Sequence, residues 1–414
     1  MKQSHEGPVR TCQICRGNRL EMVLSLGHQP IVQDYLTKEE LLEEEATFPL
    51  HLVRCTKCGL LQLDFVVDPK KVFPPDYPYR TGLTNMLIRN FQQLAETMES
   101  MKLYKKGDLV VDVGSNDGTL LKQFKARGAR VVGVEPTNAA KVANKSGIPT
   151  VQDFIGKKAV KKVVSKFGKA NVVSATNAFA HINDTHSLVD NIKALMGNDG
   201  VFVSESQYLM DIIEKLEFDT VYHEHLRFYA LKPLVHLFKM HGMSVIDAER
   251  IHAAGGSIRV YAKKGSHPMS ARAKTLIAAE EKAGLDSKVG LQKFAKKVLT
   301  AKRDLLALLL DCKKKGASIV GVTSSARSNT LLGFTHIDNT ILDYTGEKKG
   351  SPKIGMYTPG THIPVVDEAR ILSDQPDFAV ILSWHIGEEL AKKIRAAGYK
   401  GKFIIPLPKP RIIS

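Results

Sequence analysis

Between Val221 and Leu231 the chain reads VYHEHLRFYAL, and these eleven residues hold two histidines, a glutamate and two tyrosines. Such a set is equipped to move protons. Histidine suits a general base because its ordinary pKa lies near neutrality. Tyrosine hydroxyls suit donation to an oxygen on which negative charge develops. A positioned base contributes about 10²–10⁴ in rate. The competing use of His223 and His225 is a metal site. HxH, however, alternates sides and offers two nitrogens, where HExxH on a helix would present both to one ion. A loop that merely packs is the third option.

Four of the five cysteines form two pairs, Cys12-Gln-Ile-Cys15 and Cys55-Thr-Lys-Cys58. Each pair offers two thiolates from one tight turn, and two turns make the tetrahedral sulfur set that zinc prefers. The 39 residues between Cys15 and Cys55 exceed ordinary finger spacing, so a small subdomain is expected between the knuckles. Four thiolates leave no open position, which makes the zinc structural. Disulfides are the alternative. The start, MKQSHEGPVR, lacks the apolar centre of an export signal, so the expected compartment is the cytoplasm and the thiols are expected reduced.

These groups need a scaffold, and DLVVDVGSNDGTLLKQF supplies its first part. Leu109 to Val113 is a short apolar run rich in valine, the mark of a buried parallel strand. Gly114-Ser115-Asn116-Asp117-Gly118 is a turn. Thr119 to Ala126 reads as a helix with Leu120, Leu121 and Phe124 inward. A strand from Val131 to Val134 ends in Glu135 and Pro136, where an acid can hold ribose hydroxyls. The turn is not GxGxxG, and Asp112 just before it would repel a pyrophosphate. It would welcome a ligand with an ammonium group and no phosphate, and S-adenosylmethionine is such a ligand.

The pattern resembles motifs I and II of class I methyltransferases. In that fold the polar Asp153 would meet the adenine amino group and Phe154 would cover the ring. Asn171 to Thr176 reads as the fourth strand, Asn177 to His181 as its exit loop and Gly200 to Ser206 as the fifth strand. Ligands bind at the carboxyl ends of such strands. The VYHEHLRFYAL stretch therefore falls near the same cleft, before a helix from Leu231 to Met240.

A sulfonium cofactor already carries its leaving group, so the enzyme must make the nucleophile. Oxygen and nitrogen need at most a proton removed. A carbon beside a carbonyl must be deprotonated and its enolate held, which is the division of labour that histidine and tyrosine fit.

With 414 residues, two or three domains are expected, and no run of 18 apolar residues exists to span a membrane. The net charge of +16 admits nucleic acid. The basic residues are spread along the chain, however, and many fall on helix faces, as Lys158, Lys161 and Lys162 do. A nucleotide diphosphate fits the charge as well.

Taken in order, CxxC, LGHQPIVQDY, CxxCGL, DYPYRTG, VDVGSNDGTLL, NAFAHI, YHEHLRFYAL, GGSIRVYA, NTLL and TPGTHIP resemble the nucleotide-sugar C-methyltransferases of deoxysugar pathways. The resemblance implies an α/β architecture in three parts: a zinc-binding domain (1–75), a class I methyltransferase core (76–265), and a helical connection with a C-terminal Rossmann-like domain (266–414). It implies a nucleotide-linked 4-keto sugar methylated at C3 through an enolate; a monomer is the expected state, with no motif in the sequence that decides it. By position it assigns His225 as the base, Tyr222 and Glu224 as its orienting or sugar-contacting partners, and Tyr77 or Tyr79 as reaching over the sugar. His181 would polarise the C4 carbonyl, and Asn177 would belong to the cofactor. His252, Ser257 and Arg259 would mark a substrate loop, with Arg259 on the diphosphate. Arg327, Asn329, Thr361 and His362 would help hold the nucleotide.

The chain departs from the family on the substrate side. Thr323 to Arg327 replaces a glycine-rich turn, Trp384-His385 replaces Trp-Asn, and His252-Ala-Ala-Gly-Gly replaces HGGS. An O- or N-methyltransferase therefore stays open, as do an RNA methyltransferase and a non-catalytic zinc-stapled binding protein.

Overall fold

The computed structural model describes residues 6–75, 80–83 and 85–414, so Tyr77 and Tyr79 lie outside the described residues. A two-residue strand β1 (Gly7–Pro8) pairs with β5 (Phe65–Val66). Between them β2 (Leu20–Gln29), β3 (Phe48–Cys55) and β4 (Leu61–Leu63) form an antiparallel meander. The cysteine pairs meet at one edge of it, the first just before β2 and the second at the β3–β4 turn, with Leu20 paired to Cys55, and all four Sγ atoms lie within 4.8 Å of one another. The closest approaches, Cys12–Cys58 at 3.5 Å and Cys15–Cys55 at 3.4 Å, are far beyond a sulfur–sulfur bond of about 2.05 Å. They are close to the edges of a tetrahedron of thiolates about 2.3 Å from a central zinc.

The central sheet has the order expected of the class I methyltransferase core. It holds β6 (Leu109–Val113), β7 (Arg130–Val134), β8 (Thr150–Val151), β9 (Ala170–Thr176) and β10 (Met196–Gln207). The short β11 (Arg227–Phe228) leaves for the first sheet, and β12 (Met243–Ile251) and β13 (Ser257–Lys264) return. The order is β12-β13-β10-β9-β6-β7-β8, with β13 antiparallel to β10 and β6 through β10 parallel. Every residue of β6 is buried, as a central parallel strand requires. The helix Thr119–Ala126 seals one face with Leu120, Leu121 and Phe124, each almost fully buried. Such side chains stabilise by about 1.5–3 kcal/mol each, which holds the intervening turn rigid.

Two stretches differ from expectation. β10 begins at Met196, four residues before the expected Gly200, across a bulge between Met196 and Val201. The long helical connection is two helices, Ala271–Ala283 and Lys288–Lys314, broken where Gly284 adopts the left-handed conformation and Ser287 caps the second. The C-terminal sheet, β16-β15-β14-β17-β18-β19, is parallel from β14 (Ile319–Val322), β15 (Thr345–Glu347) and β16 (Val365–Asp367) through β17 (Phe378–Ile381) and β18 (Lys402–Ile405). Only β19 (Arg411–Ile413) runs against it. Its strand order reverses between β14 and β17, the usual place for a ligand crevice. Among the described residues no helix is long and apolar enough to cross a membrane.

Candidate active site

One cleft of about 1570 Å³ is lined by the β6 turn, the loop after β9, the VYHEH loop and the β14 and β17 ends of the C-terminal sheet. Single-ligand pockets usually hold about 300–1,000 Å³, so there is room for a cofactor and a second molecule of similar size.

The cofactor end is built on Gly114. Its φ is +75°, and a Cβ there would stand 2.6 Å from Cβ of Ala178. Glycine is therefore what lets the loop after β9 close on the turn. Asp112 accepts from Ser174 Oγ at 2.7 Å, and burial pushes its carboxyl up to about 7. Glu135 directly follows β7, buried, with its two oxygens accepting from the Asn116 amide and from the amide and hydroxyl of Thr137. Ser115 and Ser206 line the cleft with hydroxyls that have no hydrogen-bond partner among the described residues. Two acids and two unused hydroxyls fit a cationic ligand with ribose hydroxyls. Pro136, Phe154 and Asn177 also line the cleft, and Asn177 sits at φ +53° with its amide donating to Glu205.

Some expected cofactor residues are spent elsewhere. Asp117 Oδ2 accepts from the Gly82 amide at 2.8 Å and lies outside the lining, while Asn116 lines the cleft and also accepts from the Thr81 amide through Oδ1 at 3.0 Å. The middle of the turn thus holds down the segment that follows DYPYR. Gly118 caps the helix against Ile148 and stays out of the cleft. Asp153 pairs with Lys162 at 3.3 Å, also away from the cleft lining.

The proton-moving end lies one turn of chain from Ala178. The His181 amide donates to the Ala178 carbonyl at 3.0 Å, and the His181 ring sits 4.9 Å from that of His225. On the other side Tyr222 lies 4.1 Å from His225, centroid to centroid, and Phe73 stacks on His181 at 5.6 Å. His225 Nδ1 donates to the Thr220 carbonyl at 2.7 Å. That bond fixes the tautomer and leaves Nε2 as the acceptor, without a hydrogen bond among the described residues. Burial, despite the Thr220 carbonyl, lowers the pKa of His225 to about 4, so the ring is neutral at pH 7. Glu224 is buried and lines the same cleft.

His223 points the other way. It lies against Phe48 and the Pro49 carbonyl of the first sheet, so the two histidines do not share an ion. Between the sheets Arg227, which sequence reasoning passed over, is fully buried and donates to the carbonyls of Phe179, Ala180, Ile182 and Asn183. It holds the NAFAHI loop in place. β11 itself pairs with β4, Arg227 opposite Gln62 and Phe228 opposite Leu61. The loop bearing His225 therefore hangs from the cysteine-stapled sheet. Chelation of zinc is expected to abolish turnover while S-adenosylmethionine still binds, which calorimetry on the chelated protein checks.

The substrate-side expectations fare differently. Arg259 is 2 % exposed and bonded to Glu205 at 3.0 Å, Glu249 at 3.2 Å and Asn90 at 3.0 Å. It is a sheet-bracing cation and does not reach the cleft. Breaking such a buried pair costs about 3–5 kcal/mol, a stability role. Ser257 donates to the Ala253 carbonyl, and His252 is exposed outside the lining. Asn329 donates to the Val32 carbonyl, Thr361 bonds Thr358, and His362 pairs with Glu45 at 3.0 Å. TPGTHIP thus anchors the connection between β2 and β3. Arg327 lines the cleft, but its fork is on Asp219. The C-terminal residues that do line the cleft include Thr323, Ser324, Glu347, Lys348, Lys349 and Lys353. The pair of lysines in GEKKG was the available sign of an anion site, and its spacing alone did not separate it from a solvated turn.

Three family models match in succession: a "Putative zinc binding domain" over residues 12–73, a methyltransferase domain over 80–248 and a C-methyltransferase C-terminal domain over 252–408. The C-methyltransferase NovU of Streptomyces niveus is 29 % identical over 413 residues, spanning 98 % of this chain and 97 % of that protein. Solved structures similar to the chain include magnesium protoporphyrin IX methyltransferase of Synechocystis PCC 6803 with bound SAM, at 14 % identity and TM-score 0.36, covering 48 % of this chain and 99 % of that one. Another is 1,6-didemethyltoxoflavin-N1-methyltransferase of Burkholderia thailandensis, at 17 % identity and TM-score 0.32, covering 43 % of this chain and 78 % of that one.

Proposed function

Because the chain is an S-adenosylmethionine-dependent methyltransferase carrying the zinc-binding and C-terminal domains of the C-methyltransferases, we propose that it methylates C3 of a nucleotide-linked 4-keto sugar through an enolate. The observation that carries this reading is the neutral imidazole of His225, pinned through Nδ1 and open at Nε2, in the cleft of the Gly114 turn. An oxygen or nitrogen acceptor would ask less of that base, at most the removal of one proton and no enolate to hold. The name of the Streptomyces relative supports a carbon acceptor.

Bound S-adenosylmethionine supplies an electrophilic methyl group. The chain's task is then to raise electron density on one carbon. His225 Nε2 takes the C3 proton, and the electron pair moves toward the C4 oxygen. A base held near pKa 4 is weak, so the transfer proceeds only where donors hold the resulting oxyanion. Tyr222 and His181, whose rings flank His225, are assigned that task. Glu135 holds the cofactor ribose, while Lys348, Lys349 and Lys353 suit the diphosphate. Residues 1–75, 76–265 and 266–414 are its working parts, and a cytoplasmic monomer is part of the same reading.

The test incubates the protein with methyl-labelled cofactor and a panel of keto nucleotide sugars, then locates the label by NMR. Label on the carbon beside the ketone is expected. Label on oxygen or nitrogen would overturn the proposal.

A further inference from the structure

The C-terminal unit reaches into the central one at a buried carboxylate. Asp219, with 0 % exposure, accepts from Arg327 Nε at 3.0 Å, from Arg327 Nη2 at 2.8 Å and from Trp384 Nε1 at 2.8 Å. The guanidinium also lies 5.4 Å over the Trp384 ring. Beside it Glu217, 1 % exposed, stands 3.6 Å from Arg327 Nη1, and neither of its oxygens is hydrogen-bonded among the described residues. Arg327 therefore lies against two buried acids, and Lys215 adds to the positive field at Glu217. Asp219 and Thr220 belong to one short 3₁₀ turn, Phe218–Thr220, and the carbonyl of Thr220 is the acceptor that fixes His225 Nδ1.

We propose that Arg327 is a positioning residue for the base: its fork on Asp219 sets the turn, and the turn sets the carbonyl that holds the imidazole. Without the latch, Asp219 stays buried as a carboxylate with no cation on it, a costly arrangement that is relieved if the turn moves. The carbonyl moves with it, and the Nε2 lone pair loses its aim. A misplacement of about 1 Å costs on the order of 10² in rate. The proposal rests on the reading of His225 as base.

The experiment measures steady-state methyl transfer and solvent exchange at the acceptor carbon for Arg327→Ala, Arg327→Lys, Asp219→Asn and Arg327→Ala/Asp219→Asn, with His225→Gln in parallel. Arg327→Ala and Asp219→Asn should each lower kcat by about 10² and leave KM for the nucleotide sugar and the cofactor affinity near wild type. The double variant should be no worse than either single one, as partners in one interaction behave. Among the described residues Tyr222, His181 and Arg327 are the titratable or charged groups around the His225 ring, and Arg327 disfavours its charged form. Its loss should move the acid limb of kcat/KM to higher pH. Arg327→Lys should restore that limb but not the rate, because an ammonium cannot reproduce the fork.

A raised KM with kcat intact would make Arg327 a substrate contact and overturn the latch, as would additive losses or wild-type behaviour. Should Arg327→Ala not fold, Asp219→Asn decides by the same criteria. Wild-type exchange in His225→Gln removes the base reading itself. Loss of exchange there, with Arg327→Ala unchanged, removes the latch alone.

Discussion

Replacing His225 with glutamine lowers the rate of methyl transfer by about 10²–10⁴, while S-adenosylmethionine binds as before. Glutamine keeps a donor for the Thr220 carbonyl and roughly the volume of the ring, so the loop stays, but it cannot accept the proton. The pH profile adds a second mark. In the wild type His225 is held at about 4, chiefly by burial, so its neutral form persists as pH falls through the ordinary histidine range near 6.5. The limb of kcat/KM that reports this group should lie below that range. A profile falling through 6.5 would mean a solvent-exposed imidazole and a different cleft. Full activity in His225→Gln would show that the acceptor needs no base.

The second large effect belongs to the cofactor. Gly114→Val puts a β-branched residue at φ +75° and drives its Cβ to 2.6 Å from Ala178. The conformational strain costs about 1–3 kcal/mol and the overpacking about 1–3 kcal/mol. Neither side yields easily: β6 is fully buried, and Ala178 leads to His181. The turn and the exit loop of β9 must part. Affinity for S-adenosylmethionine should fall by roughly 10² or more, as about 3 kcal/mol would imply. Gly156→Ala is the control, because φ there is extended at −178° and a Cβ meets nothing within 4 Å. Unchanged affinity in Gly114→Val would mean that the cofactor does not depend on this turn.

Local features of both sites were legible. The valine run of β6, the Gly114 turn and the helix after it follow from burial periodicity and backbone freedom over fewer than twenty residues, and they fell at the expected bounds. The cysteine set was legible because thiolate spacing and metal geometry are tightly linked. Partner choice across long separations was not. Asp117 is cofactor-like in sequence, yet it holds Gly82 and lies outside the cleft lining. Arg259 had the chemistry for a diphosphate but met Glu205 first, and His362 met Glu45 from 317 residues away. A cation takes the nearest buried acid, since an unpaired buried charge is the costlier outcome, and periodicity does not reveal which acid that is. The same limit hid β11, two residues that carry the proton-moving loop into the zinc-stapled sheet.

Proton removal from carbon can be seen without methyl transfer. Wild-type protein is incubated in deuterium oxide with the nucleotide sugar and S-adenosylhomocysteine in place of the methyl donor, and the C3 position is followed by NMR beside the His225→Gln variant. Deuterium should enter C3 with the wild type and stay out with the variant. Equal incorporation in both would contradict the assignment of His225.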